Sequence, residues 1–269
     1  MVQLDQATQQ RFRRKLRPRT YVRRKGSRPR GCSKIPRRLE SVRILSEEVV
    51  GKHVFRLIPS RYPTIQIFEQ FLDPQELEMA YELEAITNDR LREEAGEIAH
   101  IPPEERITGP GCSVVMAAFT HTGIESRFSS GTYGVFYAGL DIQTSIEESK
   151  AGQFRFLSAT AEPPFEITMR SYATRIALPL LDSRGLLYDH CHIPNDWATA
   201  QAFGQESKNN GENGLWYRSV RNPDGECVAA FRTLAVEPVT QTAHYRFSWD
   251  GNSIAKVFEI KEIPSRSNQ

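Results

Sequence analysis

Residues 214–232 decide the fold, and they read GLWYRSVRNPDGECVAAFR. Two short apolar segments, residues 215–220 and 227–231, flank the sequence Asn-Pro-Asp-Gly, whose residue types favour a turn. Apolar segments of this length on either side of a turn are typical of paired β-strands. The stretch therefore predicts two neighbouring strands joined by a turn.

The rest of the chain predicts a mixture of strands and helices. An Asp-Pro-Gln-Glu sequence at Asp73 is typical of a helix start, and residues 195–207 place apolar side chains at helical spacing. The Asp250-Gly251-Asn252 sequence predicts a hairpin turn. Further strands are predicted at residues 54–59, 114–119, 135–138, 167–178, 242–249 and 254–260.

The order of these elements indicates the α+β class. Strands and helices do not alternate regularly, as they would in a doubly wound sheet. The sequence also has no GxGxxG after a strand and no GxxxxGK[ST], which excludes a Rossmann dinucleotide site and a P-loop.

A second informative stretch covers residues 126–149, SRFSSGTYGVFYAGLDIQTSIEES. Arg127 stands beside a glycine-containing loop, and a strand ending at Tyr137 follows. A short helix-like stretch then ends at Glu147 and Glu148.

These two stretches together resemble the RES domain, named for its Arg, Glu and Ser. Glu148 stands eleven positions after Tyr137, as in the family pattern. The strand at Val54-Phe55-Arg56, the Leu181-Asp182 pair and residues 197–204 extend the resemblance to about residues 52–260. Ser126-Arg127-Phe128-Ser129 departs from the commoner GRWN. The later family block is matched by Tyr217, Ser219, Arg221, Asn222 and Gly225.

The resemblance implies an ADP-ribosyltransferase-like mixed sheet with flanking helices, and an enzyme that consumes NAD+. The expected reaction is cleavage of the nicotinamide–ribose bond by hydrolysis or phosphorolysis, with inorganic phosphate as a co-substrate in the second case. It also implies the toxin of a toxin–antitoxin pair, an Xre-type antitoxin partner and a homo-oligomer. Transfer of ADP-ribose to a protein target is the enzymatic alternative.

Five residues are the candidates for this chemistry. Glu148 is expected to stabilise the cation-like ribosyl group, with Glu147 pointing elsewhere. Arg56 and Arg127 would bind the pyrophosphate through their guanidinium groups. Tyr137 would stack on the nicotinamide ring, and Ser219 would bind a ribose hydroxyl or orient Glu148. Without a suitably spaced histidine and acid, Ser219 is not expected to be a nucleophile.

Charge divides the chain into a basic arm, residues 1–43, and an RES-like NAD+-degrading domain, residues 44–269. The arm holds 15 Lys and Arg against two acidic residues, and the remainder carries a net charge of −11 within a chain total of +2. Prolines and scarce apolar residues predict disorder in the arm. The arm could bind nucleic acid or an acidic protein surface, or it could have no dedicated role. A nucleic-acid-associated binding protein is therefore the non-enzymatic alternative.

The cysteines and the lengths of the apolar runs indicate whether the protein binds a metal and in which compartment it is expected. Four widely spaced cysteines without a CxxC pair predict free thiols in a reducing cytoplasm, with no metal. The only local cluster of metal-ligand types, Asp189-His190-Cys191-His192, is expected to be a loop. No apolar run has the length of a membrane span or a secretory signal, so neither membrane insertion nor export is expected.

Overall fold

The computed structural model describes residues 43–60, 73, 75, 97–160, 162–261 and 263, which contain nine strands and three α-helices. The helices are α1 (Ser113–Thr120), α2 (Ile142–Thr160) and α3 (Ala198–Asn209). The strands are β1 (Leu45–Ser46), β2 (His53–Pro59), β3 (Phe136–Gly139), β4 (Phe165–Arg175), β5 (Leu180–Asp182), β6 (Gly214–Arg218), β7 (Glu226–Ala230), β8 (Thr240–Trp249) and β9 (Ile254–Ile260).

All nine strands belong to one sheet, in the order β1-β5-β6-β7-β3-β2-β4-β8-β9. Only the β5–β6 pair is parallel, and every other neighbouring pair is antiparallel. The β6–β7 pair is the one that residues 214–232 predict, with Tyr217 opposite Cys227 across the ladder. The α+β prediction with a mixed sheet is therefore confirmed.

One face of the sheet packs against α1. Successive side chains of a strand point to opposite faces, so Phe136, Trp216 and Val228 share this face on three different strands. Val115 and Met116 of α1 cover them and are fully buried. This face holds the largest apolar cluster among the described residues.

The opposite face carries α2, α3 and the loop before β3. Phe128 and Ala200 pack on Tyr217 and Leu215, beside the middle of the sheet. Leu157 of α2 packs with Phe247 and neighbouring residues of β4 and β8. Helix α2 therefore crosses from the centre of the sheet toward its β8 end.

The strand predicted at residues 114–119 is wrong, since this segment is helix α1. Its run VVMAAF has neither a period of two nor a polar face, and such short apolar runs do not distinguish a buried strand from a buried helix. Seven of the eight residues of α1 are buried. Because nearly all of the helix is buried, its sequence needs no polar face and so lacks the helical alternation of apolar and polar residues.

Helix α2 is also longer than the sequence indicated. The prediction ended it near Glu148, whereas the structure continues it to Thr160. Its second half contains Gly152 and follows no clear apolar stripe, but Leu157 is 0% exposed and fixes that half to the sheet. Tertiary packing of this kind overrides weak local propensity.

The other predicted elements agree with the structure to within a few residues. Asn210 ends α3, and Gly211 adopts a positive φ of 79° beside it. In the β8–β9 hairpin the Asp250 carboxylate accepts hydrogen bonds from the backbone N–H groups of Asn252 and Ser253.

Two predicted elements lie wholly or mostly outside the described residues. Of the helix expected after Asp73, only Asp73 and Gln75 are described, and Asp73 Oδ1 accepts from Gln75 N at 2.8 Å. Of the basic arm only Arg43 is described, and it forms ion pairs with Glu206 and Glu212. Among the described helices, none is both long enough and apolar enough to span a membrane.

Two glycines in helices provide a matched test of this packing. A Cβ on Gly204 would lie 2.3 Å from the carbonyl oxygen of Phe128, whereas a Cβ on Gly152 would meet nothing within 4 Å. We expect Gly204→Ala to lower the free energy of unfolding by about 1–3 kcal/mol through overpacking. Gly152→Ala should raise it by about 0.5–1 kcal/mol, because alanine favours a helix. Urea denaturation measures both, and equal effects of the two substitutions would contradict this account.

Candidate active site

The candidate site centres on a hydrogen bond between Ser219 and Glu148. The Ser219 hydroxyl donates to Glu148 Oε1 at 2.6 Å, and the backbone N–H of Val220 donates to the same oxygen at 3.1 Å. Ser219 follows β6, and Glu148 lies on the second turn of α2. Within the described residues Oε2 of Glu148 has no hydrogen-bond partner. One carboxylate oxygen is thus fixed by two hydrogen bonds, and the other has none to the described residues.

The turn after β6 is shaped around the Ser219 hydroxyl. Its oxygen accepts hydrogen bonds from the backbone N–H groups of Arg221 at 3.1 Å and Asn222 at 2.9 Å. The turn closes where Gly225 O accepts from Ser219 N at 2.8 Å. With two N–H groups donating to it, the hydroxyl has to direct its own proton toward Glu148.

A polar chain with the buried Thr144 at its centre attaches this turn to the start of α2. The Asn222 amide donates to Thr144 Oγ1 at 2.9 Å, and Thr144 donates to Asp141 Oδ2 at 2.6 Å. Asp141 also caps the helix, since its Oδ1 accepts from the backbone N–H of Thr144 at 2.7 Å. A Cβ on Gly225 would lie 2.3 Å from Thr144 Oγ1, so only glycine allows this approach.

Tyr137 anchors the loop that carries Arg127. Its phenol oxygen accepts from the backbone N–H of Phe128 at 3.0 Å and shares a hydrogen bond of 2.9 Å with Ser126 Oγ. Burial raises the pKa of Tyr137 to about 12, so the phenol stays neutral and keeps its proton for hydrogen bonding. The ring is stacked near Phe128, with centroids 6.5 Å apart.

Arg127 is buried, with 7% of its surface exposed, and it contacts the backbone of the segment before α3. Its guanidinium donates to the carbonyl oxygens of Cys191 at 3.3 Å and Ile193 at 3.0 Å, with a longer contact to Pro194 at 3.5 Å. These acceptors are neutral. In the part of the chain that the structure describes, Arg127 has no carboxylate partner.

Behind the site lies a layer of buried titratable groups. Tyr217 packs edge-on against Phe128 and lies opposite Cys227, beside Glu148 and Arg127. Burial raises the pKa of Tyr217 and of Cys227 well above their ordinary values, so both stay protonated. The ring of His192 stacks on Tyr217, and burial followed by the charge of Arg218 lowers the pKa of His192. This layer is therefore uncharged at neutral pH.

The structure brings together four of the five predicted site residues. Glu148, Ser219, Tyr137 and Arg127 lie on the sheet face that carries α2 and α3. Glu147 points away, as its carboxylate bonds Lys150 and Gln143 on the same helix.

Arg56 is the predicted residue that lies apart. Its guanidinium packs over Phe136 at 4.8 Å, on the sheet face that packs against α1. There it donates to the backbone carbonyl of Tyr137 at 3.1 Å, and burial lowers its pKa to about 10. The position of Arg56 therefore does not support the predicted contact with a pyrophosphate.

No group of three metal-ligand side chains occurs within the described ranges. In the cluster at residues 189–192, Asp189 pairs with Arg218, and His192 Nδ1 contacts the backbone oxygen of Tyr188 at 2.9 Å. Cys191 is a free, buried thiol, and burial raises its pKa to about 11. Residues 189–191 belong to a 3-10 helix that ends at Cys191, and the side chains of Asp189 and His192 have different partners.

Comparison with known proteins identifies the family. The family model described as RES domain matches residues 103–250, which include Arg127, Tyr137, Glu148 and Ser219. The chain belongs to the RES-domain family. This RES-domain protein is similar to the uncharacterized protein y4oC of Sinorhizobium fredii, with 27% identity over 221 residues, covering 81% of this chain and 92% of that protein.

A solved structure also shares a local similarity with this RES-domain protein. It is the MbcT–MbcA toxin–antitoxin complex of M. tuberculosis, with 12% identity and a TM-score of 0.32 over 47% of this chain and 72% of that chain. A similarity this slight carries no argument about fold or function.

Sequence reasoning missed several residues that support the RES-domain site. Thr144 and Asp141 stand at the start of α2, where a polar residue is an ordinary cap, and nothing local shows that Asn222 reaches them. Gln201 of α3 donates to the backbone oxygen of Ser126 at 3.0 Å and so braces the Arg127 loop. Pairs this far apart in sequence become visible only in the fold.

Thr144 offers a direct test of the polar chain, because its side chain is 0% exposed. Thr144→Val keeps the shape and removes the hydroxyl, which leaves the Asn222 amide without its acceptor and Asp141 Oδ2 without its donor. We expect a loss of about 2–3 kcal/mol in the free energy of unfolding. Thr144→Ser keeps the hydroxyl and should lose only about 1 kcal/mol for the methyl group. Chemical denaturation compares the two, and an equal loss would show that the hydroxyl is unimportant.

Proposed function

We propose that this protein cleaves the nicotinamide–ribose bond of NAD+, with water or inorganic phosphate as the acceptor. The observation that carries the proposal is the Glu148 carboxylate, held on one oxygen by Ser219 and Val220 and without a partner on the other among the described residues. Membership of the RES-domain family supports it, since the family resemblance implies an enzyme that consumes NAD+.

The chemistry requires a carboxylate in this state. When the bond breaks, its electron pair leaves with the nicotinamide nitrogen, and the ribosyl C1 develops positive charge. A preorganised negative group beside that carbon stabilises the transition state more than the ground state. The acceptor oxygen then bonds to C1 and loses a proton, which gives ADP-ribose from water or ADP-ribose 1-phosphate from phosphate.

The separation of charges around the site also favours this substrate. Glu148 forms no ion pair with a described cation, and Arg127 forms none with a described carboxylate. NAD+ combines a cationic nicotinamide ring with an anionic pyrophosphate, so a single molecule complements both charges. This arrangement supports Arg127 as the pyrophosphate contact, provided that the Cys191–Pro194 carbonyls release one of its N–H groups.

Ser219 is proposed as a positioning residue, not as a nucleophile. Its hydroxyl proton is directed at Glu148, and no histidine of the described chain contacts its oxygen. Tyr137 holds the Arg127 loop through its phenol, and its partly buried ring remains the candidate for stacking on nicotinamide.

Through this reaction the protein would act in the cytoplasm as the toxin of a toxin–antitoxin pair. Its partner would be an Xre-type antitoxin, and the protein itself would form a homo-oligomer. These statements are proposed from family membership. Transfer of ADP-ribose to a protein uses the same bond cleavage and differs only in the acceptor, so product analysis distinguishes it.

Glu148→Gln should abolish NAD+ loss, with kcat/KM falling about 100-fold or more, because the amide keeps the shape but not the charge. Glu147→Gln is the matched control on the same helix, and we expect it to retain activity. The measurement is NAD+ consumption by purified protein with and without inorganic phosphate, with products separated by mass. Nicotinamide release that survives Glu148→Gln would refute the assignment.

Expression in a host without the antitoxin should stop growth and lower cellular NAD+. The Glu148→Gln variant should restore both, since toxicity requires the reaction. Growth arrest that persists in the variant while NAD+ stays normal would separate toxicity from NAD+ loss and contradict the toxin proposal.

A further inference from the structure

A cluster of three arginines surrounds residues 194–197, which include Trp197. The Arg155 guanidinium carbon lies 3.6 Å from the centroid of the Trp197 ring. The Arg221 guanidinium donates to the backbone oxygen of Pro194 at 2.9 Å and to Asn195 Oδ1 at 3.2 Å. Arg127 contacts Pro194 from within the protein. Three guanidinium groups from separate parts of the chain therefore converge on residues 194–197.

Among the described residues none of these three guanidinium groups forms an ion pair, although Glu125 lies near Arg155 and Asp196 lies within residues 194–197. In the described chain, Arg155 contacts an aromatic ring, and Arg127 and Arg221 contact neutral oxygens only. Partial burial, together with the charges of Arg221 and Arg127, lowers the pKa of Arg155, while Glu125 acts in the opposite direction. Like charges held this close destabilise one another unless an anion lies between them.

The position of Arg155 relates the cluster to Glu148. The two residues are seven positions apart on α2, which places them on one helix face about 10 Å apart along the axis. An anionic group bound here would belong to a ligand, or to a reactant, that also reaches the carboxylate.

We propose that Arg155 and Arg221, arranged around Trp197, form a phosphate-binding subsite for the substrates of this enzyme. The inference rests on the proposed function and deepens it, since it assigns residues outside the predicted set. Stacking on Trp197 holds the Arg155 guanidinium flat and leaves its N–H edge available for two phosphate oxygens. Arg221 approaches from the turn that also positions Ser219, so phosphate binding and the carboxylate share one rigid support.

Two sources supply this chemistry, namely the pyrophosphate of the dinucleotide and free inorganic phosphate. A pyrophosphate in the subsite would place the nicotinamide ribose toward Glu148. Free phosphate would instead be the attacking reactant. Both would be bound through phosphate oxygens, but the first would affect the KM for NAD+ and the second the KM for phosphate.

The first experiment measures ADP-ribose binding by calorimetry, because this probe has the pyrophosphate but not the bond that is cleaved. Arg155→Gln should weaken binding at least fivefold, and Arg155→Lys should be intermediate because it keeps the charge without the planar stack. Arg246→Gln is the matched control: Arg246 also lies over an aromatic ring, Phe258 at 5.1 Å, but on β8. It should bind ADP-ribose like the wild type.

The second experiment measures NAD+ consumption by the same variants at varied phosphate concentrations. A weakened ADP-ribose affinity with a raised KM for NAD+ assigns the subsite to the pyrophosphate. An unchanged ADP-ribose affinity with a raised KM for phosphate assigns it to the attacking anion. If Arg155→Gln changes neither, or if the wild type binds neither anion, the subsite is refuted. Arg155-dependent binding of ADP-ribose without any NAD+ loss would refute the proposed reaction and leave the subsite standing.

Discussion

The hydrogen bond between Ser219 and Glu148 depends on how closely the β6–β7 turn approaches the first turns of α2. That approach is possible because Gly225 has no side chain and because Thr144 satisfies Asn222 and Asp141 at once. The turn and the helix belong to parts of the chain that are more than 70 residues apart. The pairing of β3 with β7 holds the turn and the start of the helix next to each other.

The electrostatics of the site follow from this framework. Tyr217 and Cys227 lie behind the carboxylate and Tyr137 lies in the site, and burial keeps all three protonated. Arg127 and Arg221 lie in loops, and among the described residues they donate only to neutral oxygens. Negative and positive groups are thus held near one another without direct pairing, which is the arrangement that a ligand of mixed charge requires.

Sequence patterns predicted most of the sheet strands, and the family resemblance named the residues of the candidate site. Turn residues at 222–225 and alternating apolar strands are local signals, and the eleven-residue interval from Tyr137 to Glu148 is itself a local spacing. Helix α1 was mistaken for a strand because burial on all sides leaves no period to detect. The side chain of Arg56 lies on the opposite sheet face because strand pairing, which local sequence does not specify, determined its direction. The contacts of Thr144 and Gln201 were missed for the same reason, since they join segments far apart in sequence.

The polar chain from Asp141 through Thr144 to Asn222 makes one set of atoms serve both helix capping and the geometry of Glu148. Substitutions there would change the amount of folded protein and the turnover of each molecule in the same direction. Natural variants that weaken the proposed reaction without reducing the abundance of the protein should therefore be rare in this segment. They should be more frequent at Arg155, whose exposed side chain lies over Trp197 and belongs to no such shared network.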